Sequence, residues 1–410
     1  MIKAEHLFKV FGARSDRAMA LLEEGHSKQE ILAQTQCTVA VRGVSFAISP
    51  GELFVIMGLS GSGKSTVIRL LNRLIEPTSG TVRVQGRDIG KLTDQELREL
   101  RNQKLSMVFQ HFAIFPHRTV RENVGYGLHV RSVQESVLEE RTEWALDSVG
   151  LGGWGEARPS ELSGGMKQRV GLARALATDA EVMLMDEPFS ALDPLIRRDM
   201  QDLLIRLHRD LGRTIVFVTH DLNEAMRIGE RIMLMKDGEL VQLGTGAEIL
   251  SCPADDYVSN FIADVDRARV LVARDLMLMP PAIARVHDDA GEVLERLESS
   301  GADASYVLEQ GRIVGVTSRK LLDPAVRAGA TKLDYDLINT EFRATGPDTL
   351  LIALCPLVNA QRYPLAIVDG ERRLLGTVSS EAVLEAIANR ASEGEHVCPG
   401  SRSEPMSRTS

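Results

Sequence analysis

An α/β core on a largely parallel sheet, with an inserted helical subdomain and a smaller α+β module after it, is the fold class the sequence predicts. Three observations predict it. Short apolar runs, Leu53 to Met57, Val182 to Met185, Thr214 to Val218 and Arg231 to Met235, alternate with amphipathic helical stretches from Met1 to about Gly244. Runs of that length read as strands buried on both faces, and their alternation with helices is the pattern of a parallel sheet. Between about Thr119 and Thr178 the strand signals fade and helices dominate, including Val133 to Val149, which predicts a helical subdomain set into the core. After Cys252-Pro253 one supersecondary unit occurs twice. The stretch Ala304-Ser-Tyr-Val-Leu-Glu-Gln-Gly-Arg-Ile-Val-Gly-Val-Thr-Ser resembles Pro364-Leu-Ala-Ile-Val-Asp-Gly-Glu-Arg-Arg-Leu-Leu-Gly-Thr-Val-Ser. Each reads as strand, turn, strand and then helix, with Gly315 and Gly376 at matching positions.

Near the start, Ala13 to Gln36 interrupts the strands with two helix signals. Ser15 precedes Ala18 to Leu22 with Gly25 as a stop, and Ser27 with Glu30 makes a capping box. A helical hairpin is expected over about 13–37. The boundaries then fall at 1–264 for the α/β domain, with its helical subdomain at about 119–178. The paired module fills 265–390, as about 270–327 and 335–390, and the polar, Ser-rich residues 391–410 are expected to be a flexible tail.

Composition narrows the function. The 410 residues are 44% hydrophobic and 26% charged, an ordinary globular mixture that excludes a wholly disordered or collagen-like chain. With 48 basic against 57 acidic side chains the net charge is −9, which disfavours bulk nucleic-acid binding. No uncharged stretch reaches the roughly 18–20 residues that cross a bilayer, and the first residues lack a secretory pattern, so a cytoplasmic setting is expected. Cys37, Cys252, Cys355 and Cys398 are far apart, with no CxxC pair, and are expected to be reduced thiols.

The chemistry lies in Gly58-Leu-Ser60-Gly61-Ser62-Gly63-Lys64-Ser65-Thr66, which follows a predicted strand and opens a predicted helix. That is the context of a phosphate-binding loop. Amides of Gly61, Ser62, Gly63 and Lys64 can point at a β-phosphate from the helix start, the Lys64 ammonium can bridge β and γ oxygens, and the Ser65 hydroxyl can ligate magnesium. A second strand, Val182-Met-Leu-Met-Asp186-Glu187, delivers two carboxylates at its end. Asp186 is expected to take magnesium through water, leaving Glu187 to polarise the attacking water as general base. Taken singly, the remaining signals are weak. Gln110 follows the strand-like Leu105 to Phe109, Ser163-Gly164-Gly165 opens a helix, Ser190-Ala-Leu-Asp193 follows the acidic pair, and His220 ends a strand.

Together and in this order, over about Met1 to Cys252, these motifs resemble the ATPase subunit of ATP-binding cassette (ABC) transporters. The resemblance implies a phosphate-loop NTPase fold and a head-to-tail homodimer, with each ATP between the Lys64 loop of one copy and Ser163, Gly164 and Gly165 of the other. It further implies that Gln110 serves magnesium and the attacking water, His220 the γ-phosphate and Asp193 the dimer contact. Phe11 sits where the family places an aromatic on adenine, although Phe8 is close and either ring could be core. The apolar stretch His111-Phe-Ala-Ile-Phe-Pro-His is where the family docks a permease helix; ordinary core packing is the alternative reading.

More particular residues resemble the ATP-binding subunit of glycine betaine/proline betaine importers, the quaternary amine uptake group. They are the insert Ala13 to Gln36, Ile56-Met ahead of the loop, Arg69-Leu-Leu-Asn-Arg-Leu-Ile-Glu-Pro-Thr, and Leu162-Ser-Gly-Gly-Met with Gln168-Arg-Val-Gly-Leu-Ala-Arg-Ala-Leu. The paired modules resemble a tandem of cystathionine β-synthase (CBS) domains, a regulatory element in relatives. Here the chain departs from nucleotide-binding CBS modules, since Ser318 is followed by Arg319-Lys320-Leu321 and Ser379 by Ser380-Glu381-Ala382 rather than by an Asp, and from ionic-strength sensors with acidic tails, since 391–410 mixes acidic with basic residues. A purely dimer-stabilising role for the pair stays open. The resemblance implies membrane permease subunits as partners, an extracytoplasmic solute-binding protein indirectly, and a peripheral place on the cytoplasmic face of the inner membrane. Competing readings are an importer ATPase for another solute (amino acid, choline or carnitine), a soluble cassette ATPase acting on ribosomes or DNA, and a sensing module with a degenerate ATPase.

Overall fold

Strand β1 (Ile2–Phe11) alternates buried and exposed side chains along much of its length, as does β2 (Thr38–Ile48), and the two pair antiparallel from Ile2 opposite Ile48 to Phe11 opposite Thr38. Helices α1 (Ser15–Glu23) and α2 (Lys28–Thr35) connect them. Then follow β3 (Leu53–Met57), α3 (Lys64–Leu71), β4 (Ser79–Val84), β5 (Arg87–Asp88), α4 (Asp94–Lys104) and β6 (Leu105–Val108). Helices α5 (Val120–Val130), α6 (Glu135–Ser148) and α7 (Gly164–Ala177) come next, ahead of β7 (Val182–Asp186), α8 (Pro194–Leu211), β8 (Thr214–Thr219), α9 (Leu222–Ile228), β9 (Arg231–Lys236) and β10 (Glu239–Gly244). The structure, a computed structural model, describes residues 1–110 and 113–388. It divides into two units, Met1–Ile249 with Pro253–Ile262, and Leu250–Cys252 with the described residues from Ala263 on.

The first unit holds two sheets where the apolar runs signalled one. The runs form the sheet β10-β9-β3-β8-β7-β6, parallel except for β10. Beside it lies the antiparallel sheet β2-β1-β4-β5, whose half-polar strands a search for continuous apolar runs passes over. One core joins them: Phe46 of β2 stacks on Phe54 of β3 with ring centroids 5.5 Å apart, among buried Ile2, Leu7, Val67, Leu71, Leu184 and Val216. Each such side chain contributes about 1.5–3 kcal/mol by leaving water. Helices α5, α6 and α7 pack on one another, which their buried Val124, Leu146 and Leu172 explain.

In the insert, Ser27 Oγ accepts from Glu30 N at 3.3 Å and Glu30 Oε2 accepts from Ser27 N at 2.8 Å, a complete capping box. Ser15 does not cap α1 as expected. It is the first helical residue, after an Arg14 that makes no side-chain cap bond. The hairpin holds by Ala18, Leu21, Leu22 and Ile31 packed with Val10, Cys37 and Val39, and Phe8 lies against the same cluster.

After α10 (Gly246–Ser251), α11 (Asp256–Ile262) and α12 (Ala273–Leu276), the second unit runs β11 (Ile283–Arg285), α13 (Ala290–Ser299), β12 (Ala304–Glu309), β13 (Arg312–Ser318), α14 (Arg319–Arg327). The order then repeats as β14 (Ala344–Thr345), α15 (Leu351–Asn359), β15 (Leu365–Val368), β16 (Leu374–Val378), α16 (Ser380–Ala388). In each copy the first strand is parallel to the second and the second antiparallel to the third, with Gly315 opposite Val307 and Gly376 opposite Ile367. Gln310 and Gly311 turn the first hairpin with φ of 50° and 83°, the left-handed pair that a tight two-residue turn requires. Tyr306 Oη donates to Pro364 O at 2.7 Å and its ring meets Phe342 edge-on, tying the copies together.

Cys37 and Cys355 are free thiols, whereas Cys252 is disulfide-bonded and departs from the reduced state expected of it. Cys398, the tail at 391–410, and His111 and Phe112 of the apolar stretch lie outside the described residues.

Candidate functional site

The C-terminal ends of β3, β7 and β8, neighbours in the parallel sheet, carry the motifs, because a parallel sheet turns every strand end with a loop to the same edge. From β3 the chain enters the loop at Gly58 and leaves it at Gly63, the residue before α3. Both are glycines by necessity. Gly58 has φ 149° and a Cβ there would lie 2.2 Å from Met235 O; Gly63 has φ 97° and a Cβ there would lie 2.3 Å from Ala40 O. The loop is thus pressed between β9 and β2, with Gly61 and Ser60 exposed, Ser62 buried and Thr66 half-buried.

Lys64 is 4% exposed. Its Nζ donates to Gly58 O at 2.8 Å and Leu59 O at 3.0 Å, folding the side chain over its own loop. Burial pushes this ammonium's pKa down, against the opposing pull of Glu187 and Asp186. Ser62 Oγ is buried without a hydrogen-bond partner. An orphaned hydroxyl within a ring of loop amides is what a phosphate oxygen would satisfy.

Ser65 Oγ donates to Asp186 Oδ1 at 2.8 Å, and Arg69 Nη2 donates to Asp186 Oδ2 at 3.2 Å. Both donors lie on α3, and their i,i+4 spacing puts them on one face. Arg69 escaped sequence reasoning as a site residue, although that spacing from Ser65 was the available signal. Ser65, Asp186 and the amide oxygen of Gln110 are hard oxygen donors of the kind magnesium takes.

Glu187 has φ 47°, a left-handed backbone uncommon for a residue with a side chain. It is held there by Glu187 N donating to Val218 O at 3.1 Å and by Ser190 Oγ donating to Glu187 O at 3.0 Å. Glu187 Oε2 lies 3.0 Å from His220 Nδ1. Gln110 Nε2 donates to Ser190 Oγ at 3.4 Å rather than to Ser65 or Asp186. Ser190, of the Ser190-Ala-Leu-Asp193 motif, is therefore the link between Gln110 and Glu187.

Other residues stand apart from this cluster. Ser163 caps α7, its Oγ accepting from Met166 N at 3.3 Å, and Ser163 and Gly164 are exposed, with Gly165 half-buried. Asp193 caps α8 by accepting from Leu195 N and Ile196 N, each at 3.1 Å. Among the described residues neither segment is hydrogen-bonded to the Lys64 loop. Phe11 is 42% exposed at the end of β1, with Lys9 Nζ 5.0 Å from its ring centroid, while Phe8 is the ring packed on the core. Thr38 faces Phe11, and Ala40, two residues on, closes over Gly63, which places Phe11 on the loop's flank.

A family described as ABC transporter matches residues 41–190. Over 388 residues the chain is 44% identical to the glycine betaine/carnitine transport ATP-binding protein GbuA of Listeria monocytogenes, covering 94% of this chain and 97% of that one. It is 45% identical over 393 residues to the glycine betaine/proline betaine transport system ATP-binding protein ProV of Escherichia coli, covering 94% and 97%. Among solved structures, a dimeric post-hydrolysis state of the ATP-binding cassette MJ0796 bound to ADP and Pi is 33% identical and covers 60% of this chain and 98% of that one, with a TM-score of 0.51.

Proposed function

This chain belongs to the ATP-binding subunits of glycine betaine/proline betaine ABC transporters, and from that membership we propose how its residues couple ATP hydrolysis to solute uptake. It binds ATP and is the ATPase of an importer for a quaternary amine. The observation that carries the residue assignment is the split of two adjacent carboxylates: Asp186 turns to Ser65 on α3, and Glu187 turns to His220 just after β8.

In this reading the amides of residues 61–64 bind the β-phosphate and Lys64 exchanges its bonds to Gly58 and Leu59 for β and γ oxygens. Ser65, Gln110 and Asp186 would hold magnesium, which when bound draws negative charge from the β and γ oxygens. Glu187 accepts the proton of the attacking water, and His220 orients Glu187 and steadies the γ-phosphate. Phe11 stacks on adenine. Ser163, Gly164 and Gly165 act on the partner copy's nucleotide, with Asp193 at the dimer contact, so hydrolysis requires a closed head-to-tail homodimer. Exposure of Ser163 and Gly164 at the start of α7, away from the Lys64 loop's own bonds, supports a role across such a seam.

No described helix is long and apolar enough to cross a membrane. By likeness to the transport ATP-binding proteins GbuA and ProV, the ATPase would work on separate membrane permease subunits, peripherally at the cytoplasmic face of the inner membrane. An extracytoplasmic solute-binding protein would feed the same permease. The repeated β-α-β-β-α units support reading the second unit as a tandem CBS pair with a regulatory role. Carnitine in the name of GbuA makes it the leading alternative cargo. The test is uptake into vesicles holding the chain with its permease and binding protein: ATP should drive glycine betaine or proline betaine accumulation, and Lys64→Ala should abolish it. Accumulation of carnitine, choline or an amino acid in place of the betaines would overturn the cargo assignment.

A further inference from the structure

The insert between β1 and β2 brings a cation to Gly238, the residue whose amide bonds the phosphate loop. Lys28, the first residue of α2, is set in place by the Ser27–Glu30 capping box. Its Nζ lies 2.7 Å from where a Cβ on Gly238 would stand, and Ala40 O lies 2.6 Å from the same point. Gly238 N donates to Ser62 O at 3.0 Å, Gly238 O accepts from Arg42 N at 2.8 Å, and Ala40 O closes over Gly63. Insert, β2, the turn between β9 and β10, and the Lys64 loop therefore meet at one place.

Lys28 is half-buried and makes no hydrogen bond or close ion pair among the described residues. The charged groups facing it are Asp237, Glu239 and Arg42, and Glu239 is already paired to Arg42 at 2.9 Å. Burial works most against its positive charge, Asp237 and Glu239 favour it, and Arg42 and its place at the positive end of the α2 dipole oppose it. A half-buried ammonium with carboxylates near it but no hydrogen-bond partner leaves its donors free for a ligand. Ser62 Oγ, buried and unpartnered in the adjoining loop, independently points to a missing acceptor there.

We propose that Lys28 is a further nucleotide-binding residue, a second cation on the phosphate chain at the end nearer Phe11. Position selects that end. Thr38 is paired with Phe11, and Ala40, two residues on in β2, has its carbonyl against both Gly63 and the Gly238 position that the Lys28 ammonium approaches, which puts that ammonium on the Phe11 side of the loop. The inference rests on the reading that the Lys64 loop binds ATP.

Equilibrium binding of ADP, ATP and adenosine to the full chain tests it. Lys28→Gln should weaken ADP and ATP binding by about 3- to 10-fold, as expected for one charge-assisted hydrogen bond, and leave adenosine binding unchanged. Lys28→Arg should hold ADP affinity to within about twofold. The unfolding midpoint of Lys28→Gln without nucleotide should match that of the unchanged chain, which separates a contact from a folding defect. Equal ADP affinity in Lys28→Gln and the unchanged chain overturns the proposal, as does an equal loss for adenosine. Failure of the unchanged chain to bind ADP overturns the ATP reading beneath it as well.

Discussion

His220 Nδ1 stands 3.0 Å from Glu187 Oε2, joining the residue after β8 to the residue after β7. The left-handed backbone of Glu187 and the Ser190 bond to its carbonyl aim that carboxylate at His220, while Asp186 one residue earlier remains with Ser65. A backbone strain of about 1–3 kcal/mol is tolerated where the side chain's direction matters to function.

Glu187→Gln keeps the shape and removes the base. Phosphate release should fall by about two to four orders of magnitude, with ATP affinity within a few-fold of the unchanged chain. Near-normal turnover would remove Glu187 from the role of general base.

Glu224 lies against the end of β8, its carboxylate accepting from Gln201 Nε2 at 3.0 Å and from the Thr219 hydroxyl. Burial, the largest influence, raises its pKa above the ordinary 4.5, outweighing those two hydrogen bonds. A carboxyl with a folded-state pKa above its unfolded value adds stability that is fully present below the unfolded pKa and is lost as pH rises through the folded one. Glu224→Gln cannot ionise, so its unfolding temperature should gain on that of the unchanged chain as pH rises above the ordinary 4.5. A difference that stays constant as pH rises above that value would show that the fold does not raise the pKa of Glu224.

Legibility followed the physics of each motif. The Gly58 to Thr66 loop and the Asp186-Glu187 strand end are local patterns, and a parallel sheet brings such strand ends to one edge, so their convergence could be foreseen from order alone. Arg69 was hidden because an exposed arginine on a helix is ordinary until its partner is known to be a buried aspartate 117 residues away. The antiparallel sheet was hidden because β1 and β2 carry polar residues on one face. Ser15 looked like a cap, but the helix takes it in as its first residue, since the chain turns at Arg14.

Tyr306 in the first repeat bonds Pro364 in the second, and burial pushes its phenol up to about 12. Tyr306→Phe leaves the Pro364 carbonyl without that donor and should cost about 1–2 kcal/mol in denaturant unfolding of the second unit. Because the phenol keeps its proton up to so high a pH, that cost should be the same at about pH 7 and about pH 9. An unaltered midpoint would mean that the Tyr306 bond adds nothing to the joining of the repeats.

The two units have separate cores, Phe46, Phe54, Leu184 and Val216 in the first, and Val293, Leu297, Val307 and Leu322 in the second. A chain ending at Asp264 keeps every residue assigned to ATP binding and hydrolysis, so it should fold and hydrolyse ATP within a few-fold of the full chain. If the repeats regulate, vesicles carrying the shortened chain should take up solute at a rate that no longer changes with ionic strength or osmotic pressure. Uptake that retains its full dependence on those conditions would reduce the repeats to a structural role. Loss of basal hydrolysis would show instead that the cassette relies on the second unit to form its dimer.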